Sequence, residues 1–122
     1  AQKLSAGDPL ADRLRGASAS DDVLRKKIVA TKEGGMITGE ERLRENLTDL
    51  YGAVVFYDGK PSQMQLDRAA AIGRELSDVV AAFDAWSVKD LASLNTDLGA
   101  KKLQPIVLIN RQEWEGAGKG EQ

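Results

Sequence analysis

Three carboxylates are spaced four residues apart in the middle of the chain, which makes them the first candidates for metal or acid–base chemistry. Glu41, Glu45 and Asp49 would line one face of a helix. Di-iron helical bundles pair such carboxylates with histidine, and this chain contains no His. Arg42 and Arg44 are close enough in sequence to act as counter-charges. We therefore interpret the stripe as the solvated face of an amphipathic helix, with a weak calcium or magnesium site as the alternative.

A glycine-rich stretch just before that helix has the spacing of a phosphate-binding loop but lacks its functional side chains. Gly34 and Gly39 are five positions apart, as in the loop that cradles nucleotide phosphates. Where that loop needs Lys and then Ser or Thr, the chain has Glu40 and Glu41, whose charges would repel phosphate. A turn followed by a helix cap explains the stretch better, so the sequence predicts no nucleotide site.

The composition excludes several classes of function. The chain has 122 residues and neither Cys nor His, so Ser-His-Asp, Cys-His and zinc-water mechanisms cannot operate within it. Its 17 basic and 19 acidic residues are interspersed, which provides no electrostatic footprint for nucleic acid or an anionic membrane. No apolar run is long enough to insert across a bilayer. A glycosidase with two carboxyl groups is the one mechanism that composition leaves open. We expect no catalytic residue, no cofactor and no metal.

The first helix is predicted to begin at Ser20 and to end at the glycine pair that starts at Gly34. Residues 1–19 would then form a flexible or short-helical lead-in. Asp8 and Pro9 are, however, typical of an N-cap and a first helical residue. A helix that starts at Pro9 and continues through Ser20 is therefore an equal alternative.

The second and third helices have clearer start signals. Thr38 and Glu41 form a capping box before the second helix, and Ser62 and Gln65 form one before the third. The second helix is predicted to stop near Gly59. Its apolar seam consists of Leu43, Leu47, Leu50, Val54 and Tyr57.

The third helix is predicted to be long. Apolar residues stay on one helical face from Leu76 to Leu98, which favours a helix over residues 63–98. A kink at Trp86, with a fresh helix beginning at Ser87, is the alternative. Because the turn before this helix is short, the second and third helices are expected to run antiparallel.

The predicted fold class is all-α, a three-helix up-down-up bundle with a long third helix and short irregular termini. The bundle covers residues 20–104, and residues 105–122 form an apolar run and a disordered tail. The residues expected to meet across its core are Leu47, Leu50, Leu76 and Phe83.

Some apolar residues lie outside this predicted core and indicate a second apolar surface. At 100° per residue, Phe56 points about 140° away from the seam of the second helix, beside Val55. The apolar run at residues 106–109 is one candidate to cover Phe56, and another copy of the chain, as a homodimer, is a second. The candidate interaction residues are Val55, Phe56, Ile106, Leu108 and Trp114.

Several segments, taken in order, resemble a bacterial pattern. They are similar to the C-terminal helical domain of large secreted proteins built on BNR-repeat or VPS10 (sortilin-like) β-propellers, which are often labelled glycosyl hydrolases. The segments that carry the resemblance are residues 24–28, 33–43, 49–53, 59–61, 75–78, 94–95, 104–105 and 111–114.

The resemblance implies a larger protein with an N-terminal propeller that would carry any sugar or peptide recognition. It implies secretion or a periplasmic location, and it adds the propeller to the possible partners. It transfers no catalytic residue, because the Asp-box signatures of the propeller repeats do not occur in this sequence. Two functions remain open: a non-catalytic structural or interaction module, which we favour, and a ligand-binding accessory domain of an extracellular glycosyl hydrolase. An exposed aliphatic strip would favour the first, and an exposed aromatic cluster the second.

Overall fold

The computed structural model describes residues 4, 7–32 and 39–117. Its regular structure is entirely helical, and this described part contains no strand, which confirms the all-α fold class. The helices are α1 (Pro9–Ile28), α2 (Leu43–Val55), α3 (Gln63–Trp86), α4 (Ala92–Ala100) and α5 (Arg111–Ala117), with a π-helical segment (Ser87–Leu91) between α3 and α4.

Helix α1 begins at Pro9, so the predicted start at Ser20 is wrong and the alternative start is correct. The Asp8 side chain accepts a hydrogen bond from the backbone N–H of Leu10 at 2.9 Å, while Pro9 occupies a position where no N–H is needed. The Ser20 hydroxyl donates to the carbonyl of Gly16 at 3.1 Å within the helix and does not cap a new one. Most of the expected lead-in is therefore helical.

The connection between α1 and α2 lies partly outside the described residues. Helix α1 ends at Ile28. The N–H of Val29 still bonds to the carbonyl of Arg25 at 3.0 Å, and the N–H of Ala30 donates to the Glu45 carboxylate at 3.0 Å. Helix α2 begins at Leu43, where the same carboxylate accepts from the backbone N–H of Arg42 at 3.1 Å. The predicted helix end at Gly34 and the predicted helix start at Thr38 are therefore wrong, because α1 ends six residues earlier and α2 begins five residues later. Gly34, Gly35 and Thr38 themselves lie outside the described residues.

Helix α3, the π-helical segment and α4 form one continuous helix, called here the long helix, over residues 63–100. Its start is the predicted capping box: the Ser62 hydroxyl accepts from the N–H of Gln65 at 3.2 Å, and the Gln65 side chain accepts from the N–H of Ser62 at 2.8 Å. The π-helical segment follows Trp86 directly, at the site of the predicted kink. It changes the phase of the buried stripe without interrupting the helix.

Helices α1 and α2 lie one after the other along the same side of the long helix. At one end, the Lys101 ammonium binds the Asp8 carboxylate. At the other end, the Gln65 amide donates to the carbonyl of Ala53 at 3.5 Å. Both shorter helices therefore run antiparallel to the long helix and parallel to each other. The predicted up-down-up order is replaced by up-up-down, because no short turn forces α1 and α2 into an antiparallel pair.

Two separate apolar clusters hold these helix pairs together. The hairpin cluster, between α2 and α3, consists of Leu43, Leu50, Ile72 and Val79, with Val54 packed against it. The terminal cluster, between α1 and α4, consists of Leu10, Leu94 and Leu98, with Leu4, Leu14, Ala17 and Leu103 packed around it.

The hairpin cluster contains Leu50 as predicted, but the rest of its register differs from the prediction. Ile72 and Val79 are buried in α3, whereas Leu76 is 45% exposed and Leu47 of α2 is 52% exposed. The reason is that α3 carries two neighbouring apolar stripes, and only one of them can face a single partner helix.

The long helix ends in a Schellman motif that returns the chain to the terminal cluster. The N–H of Lys102 bonds to the carbonyl of Gly99 at 2.9 Å, and the N–H of Leu103 bonds to the carbonyl of Leu98 at 2.9 Å. Lys102 adopts a φ of 55°, a backbone conformation that favours glycine. Leu103 then packs against the terminal cluster.

Beyond this motif, the chain continues as an exposed extended segment and a short helix. The Asn95 side chain bonds to both the N–H and the carbonyl of Ile106, at 2.7 and 2.9 Å. Helix α5 occupies part of the tail that was predicted to be disordered. Asn110 and Glu113 form a reciprocal capping box at its start, each bond being 2.9 Å long.

Candidate interaction face

Six apolar side chains remain about half exposed on the paired helices α2 and α3. On α2 they recur every four residues, and on α3 they belong to a stripe of three- and four-residue spacing that also contains Ala69 and Gly73. We call this set the apolar face. Its members and their exposed fractions are Leu47 (52%), Tyr51 (66%) and Val55 (53%) on α2, and Leu66 (51%), Leu76 (45%) and Val80 (50%) on α3.

The two strips lie on the same side of the helix pair. At 100° per residue, Leu47 and Tyr51 are rotated by about 40° to 80° from the buried seam of α2. Leu76 and Val80 are rotated by about the same angle, in the same sense, from the buried seam of α3. Because α2 and α3 are antiparallel, equal rotations in one sense lead to the same side of the pair. The strips therefore join into one surface.

The opposite side of the pair is polar. The Arg68 guanidinium donates to the side-chain oxygen of Asn46 at 2.9 Å and so links α3 to α2 on that side. An adjacent groove of about 330 Å³ is lined by charged residues as well as the edge of the hairpin cluster. Its charged lining residues are Lys27, Glu41, Arg42, Glu75 and Asp78. The α2–α3 pair is thus amphipathic in cross-section, with charge on one side and apolar side chains on the other.

The middle of the apolar face has a hollow beside a large side chain. Between its leucines, the strip on α3 carries only Ala69 and Gly73. A Cβ atom added to Gly73 would meet nothing within 4 Å. Tyr51 stands at about the same height on α2, because its neighbour Leu50 packs in one cluster with Ile72. The face therefore pairs a projection on one helix with a depression on the other.

The apolar face continues toward α1 as a groove of about 340 Å³. Val80 belongs to both the face and the groove. The remaining lining residues are Asp21, Leu24, Arg25, Ile28, Val79 and Phe83. The charged residues of this lining are Asp21 and Arg25, which lie one helical turn apart on α1.

Of the five interaction residues predicted from the sequence, only Val55 belongs to the apolar face. Phe56 is 91% exposed just after the end of α2. Ile106 and Leu108 are 41% and 47% exposed in the extended segment, and Trp114 is 66% exposed in α5. The structure does not bring these residues together.

The segment at residues 106–109 does not cover Phe56. Asn95 fixes the start of that segment on α4, whereas the end of α2 lies beside Gln65. Those two points on the long helix are about 45 Å apart at 1.5 Å per residue. The interpretation of the segment as an internal lid is therefore wrong.

The other five members of the apolar face were missed from the sequence or assigned to the core. A signal was present: Leu66, Ala69, Gly73, Leu76 and Val80 are spaced by three and four residues. This stripe runs beside the stripe that contains Ile72 and Val79, and a periodicity alone does not say which of two adjacent stripes is buried.

Of the three carboxylates in the predicted stripe, Glu45 has a structural role, whereas Glu41 and Asp49 are exposed to solvent. Glu45 binds two backbone N–H groups at the start of α2, as described above, and its neighbour Glu40 accepts from the backbone N–H of Thr31 at 3.2 Å. Asp49 is exposed on the outside of α2, and Glu41 lines the charged groove. The stripe therefore does not converge on one point.

The electrostatics of these carboxylates reflect the same structural role. The hydrogen bond from Thr31, followed by that from Arg42, holds the pKa of Glu40 below its ordinary value. Partial desolvation acts to raise the pKa of Glu45, but hydrogen bonds from Arg44 and Ala30 outweigh it, and the net pKa is lowered. A catalytic acid needs a raised pKa, so both groups are poised as anions that fasten the α1–α2 connection.

Two further properties bear on function. Across residues 4, 7–32 and 39–117, no group of three or more His, Cys, Asp or Glu side chains is placed to hold a metal ion. In the same part of the chain, no helix combines the length and apolar character that crossing a bilayer requires. Protein-family models, curated proteins and solved structures were all compared with the chain, and none matches it.

Proposed function

We propose that this chain is a non-catalytic helical interaction module that binds another protein surface through its apolar face. The observation that carries the proposal is the set of six half-exposed apolar side chains gathered on one side of the α2–α3 pair. A contiguous apolar patch of this kind on a soluble domain is typical of a binding surface. Isolated exposed leucines would carry no such meaning.

The alternative, a ligand-binding accessory domain, receives less support. Stacking platforms for sugars or bases need several exposed aromatic rings in one place. Tyr51 is the one aromatic member of the apolar face. Trp114 lies in α5, beyond the segment held at Asn95, and Phe56 lies past the end of α2. Five of the six side chains of the face are aliphatic, which suits a protein partner better.

Unfolding measurements test whether the apolar face serves binding or folding. Tyr51→Ser and Leu76→Ser should each lower the free energy of unfolding of the dilute chain by less than about 1 kcal/mol, because these side chains are already about half exposed to water. Leu50→Ser is the matched control in the buried seam and should cost several times more. If Tyr51→Ser and Leu76→Ser destabilise as much as Leu50→Ser, the face belongs to the fold and the proposal fails.

The proposal also includes catalytic inertness. Neither His nor Cys is present, and the carboxylates with shifted pKa values are held as anions. Pure protein should not hydrolyse a panel of glycosides and peptides above the buffer rate. Activity that disappears on a single substitution within this chain would contradict the proposal.

We further propose, from the resemblance alone, that the module belongs to a larger secreted protein with an N-terminal propeller. The coding sequence on the N-terminal side of Ala1 tests this. Asp-box repeats there would support the proposal, and an unrelated sequence would refute it. The proposal that this chain is an interaction module does not depend on what that coding sequence shows.

A further inference from the structure

We infer that the partner of the apolar face is the same face of a second copy of this chain, so that two α2–α3 pairs form an antiparallel four-helix arrangement. This inference rests on the interaction module proposed above and names its partner. Three independent properties of the face support it: its area, its shape and its charge.

The area of the face matches what a stable homodimer needs. Six side chains that are about half exposed present on the order of 500 Å² of apolar surface. One partner of a standard interface contributes about 800 Å², and in homodimers about 65% of that area is apolar. The face therefore supplies roughly the apolar share of one partner, with the surrounding polar residues left for the rim.

The shape of the face is self-complementary. The projection at Tyr51 and the hollow at Ala69 and Gly73 lie side by side at the same height on two antiparallel helices. A twofold axis that runs along the pair, between α2 and α3, would place the Tyr51 ring of each copy over the hollow of the other. The knob-into-hole contact would thus form twice. In a flat or uniformly bulky face, the same rotation would produce a clash or a gap.

The charge distribution favours contact through this side of the pair. By helical periodicity, no charged residue lies on the apolar face between Leu47 and Val55 or between Leu66 and Val80. The charged groove and the Arg68–Asn46 hydrogen bond lie on the opposite side. Face-to-face association therefore buries no uncompensated charge, and the charged sides remain in water. Four antiparallel helices arranged in this way bury apolar stripes that two helices leave exposed.

Gly73 allows the interface to be disrupted without disturbing the fold. Gly73→Glu places a carboxylate in the hollow, where a second copy would bury it without a partner. In the single chain, the new side chain would meet open space, and Glu is a better helix former than Gly. Gly16→Glu is the matched control, because Gly16 is also a helical glycine with open space around it, on α1.

Multi-angle light scattering and sedimentation give the first readout. The wild-type chain and Gly16→Glu should show twice the mass of the chain at a concentration where Gly73→Glu shows the mass of one chain. The association constant should fall roughly tenfold or more for Gly73→Glu. Circular dichroism and the urea midpoint of the dilute protein should be the same for both variants, which separates loss of association from loss of folding.

Cross-linking through a single cysteine gives the second readout, and the absence of native Cys makes it unambiguous. In the proposed dimer, the two α3 helices lie diagonally opposite each other. With neighbouring helices about 8–10 Å apart, the two copies of residue 73 are separated by roughly 11–14 Å. Gly73→Cys should therefore be joined efficiently by a bis-maleimide of that span. Asp78→Cys, on the polar side of the same helix, is the control and should cross-link poorly.

The possible outcomes separate this inference from the proposed function. A wild-type monomer at high concentration, or equal cross-linking at the two positions, would overturn the homodimer. If Tyr51→Ser and Leu76→Ser still leave the free energy of unfolding nearly unchanged, the face remains open to a different protein and the module stands. If those two variants unfold like core variants, both proposals fail together.

Discussion

The two apolar clusters of this chain stabilise the same long helix in different ways. The terminal cluster is enclosed: Leu94 is 1% exposed, and the Asp8–Lys101 and Arg13–Asp97 ion pairs lie at its edge. The hairpin cluster has buried members on one side of the α2–α3 pair and the half-exposed apolar face beside them. Both clusters are built from aliphatic side chains on paired helices, so the residue types alone do not distinguish an enclosed core from an open one.

This difference separates a surface that completes the fold from one that is available for binding. Around the terminal cluster, Leu4 and Leu103 arrive from the chain on either side and cover the helix pair. No equivalent described segment covers the apolar face on α2 and α3. Four predictions test this contrast, from the largest expected effect to the smallest.

The largest effect is expected inside the clusters. Leu94→Ala should lower the free energy of unfolding by about 4 to 5 kcal/mol and Leu50→Ala by about 2 to 4 kcal/mol, since Leu94 is more completely enclosed. Leu66→Ala, on the apolar face, is the control and should cost less than about 1 kcal/mol in the dilute monomer. Urea unfolding at low protein concentration measures all three. A larger loss for Leu66→Ala than for Leu94→Ala would reverse the contrast.

A second effect should appear on acidification of the terminal region. The hydrogen bond from Lys101, followed by that from the N–H of Leu10, lowers the pKa of Asp8 from its ordinary value of 3.8. The stabilisation is therefore complete above that value and is lost as the pH falls through the lowered pKa. Asp8→Asn keeps a capping side chain but no charge. Its urea midpoint should fall less than that of the wild type between about pH 5 and pH 2. An identical fall in both proteins would show that Asp8 is not linked to folding.

A smaller effect, of opposite sign, is expected at the end of the long helix. Lys102 holds a φ of 55°, a conformation that costs a residue with a Cβ atom about 1 kcal/mol relative to glycine. Lys102→Gly should therefore raise the free energy of unfolding by about 0.5 to 1 kcal/mol. Ala100→Gly, in the last turn of α4 before the motif, should destabilise instead, because glycine is a poorer helix former than alanine. Thermal unfolding of the two variants would reveal whether the Schellman motif or general flexibility is responsible.

The smallest effect is expected at Phe56. Because this side chain is 91% exposed, Phe56→Ser should change the free energy of unfolding by less than about 0.5 kcal/mol. It should also leave association unchanged, since Phe56 lies outside the apolar face. Equilibrium unfolding and light scattering of the variant would check both statements. A loss comparable to that of a core variant would mean that another segment covers Phe56 in solution.

The sequence predicted the all-helical character and the extent of the long helix correctly, because those depend on local chemistry. The predicted ends of α1 and α2 were wrong. The capping box at Ser62 and the long helix beyond it follow from residues within one or two turns of each other. The box at Asn110 and Glu113 has the same kind of signal, but a short apolar run followed by a polar tail was interpreted as disorder. The capping box at Asn110 and Glu113 was therefore a local signal for helix α5 that the prediction of a disordered tail did not use.

The arrangement of the helices could not be predicted in the same way. It depends on which of two apolar stripes of α3 faces α2, and the answer, Ile72 and Val79, requires the position of the partner helix. The direction of α1 depends on contacts with residues at the other end of the chain, which periodicity does not encode. For the same reason, the apolar face was mistaken in part for core: Leu47 and Leu76 have the spacing of buried residues.

The end-to-end placement of α1 and α2 has a consequence for the order in which the chain folds. Hydrogen bonds within the hairpin join residues 12 to 22 positions apart, as between Ala53 and Gln65 or Asn46 and Arg68, and its apolar cluster spans at most 36 positions, from Leu43 to Val79. Closing the terminal cluster joins residues about 80 to 93 positions apart, as between Arg13 and Ser93 or Asp8 and Lys101. Loop-closure entropy favours the shorter loops, so the α2–α3 hairpin should nucleate folding. During synthesis, α1 emerges first but must wait for the last turns of α4. Its leucines in the terminal cluster have no partner until α4 has been made, so the most completely buried cluster is expected to form last.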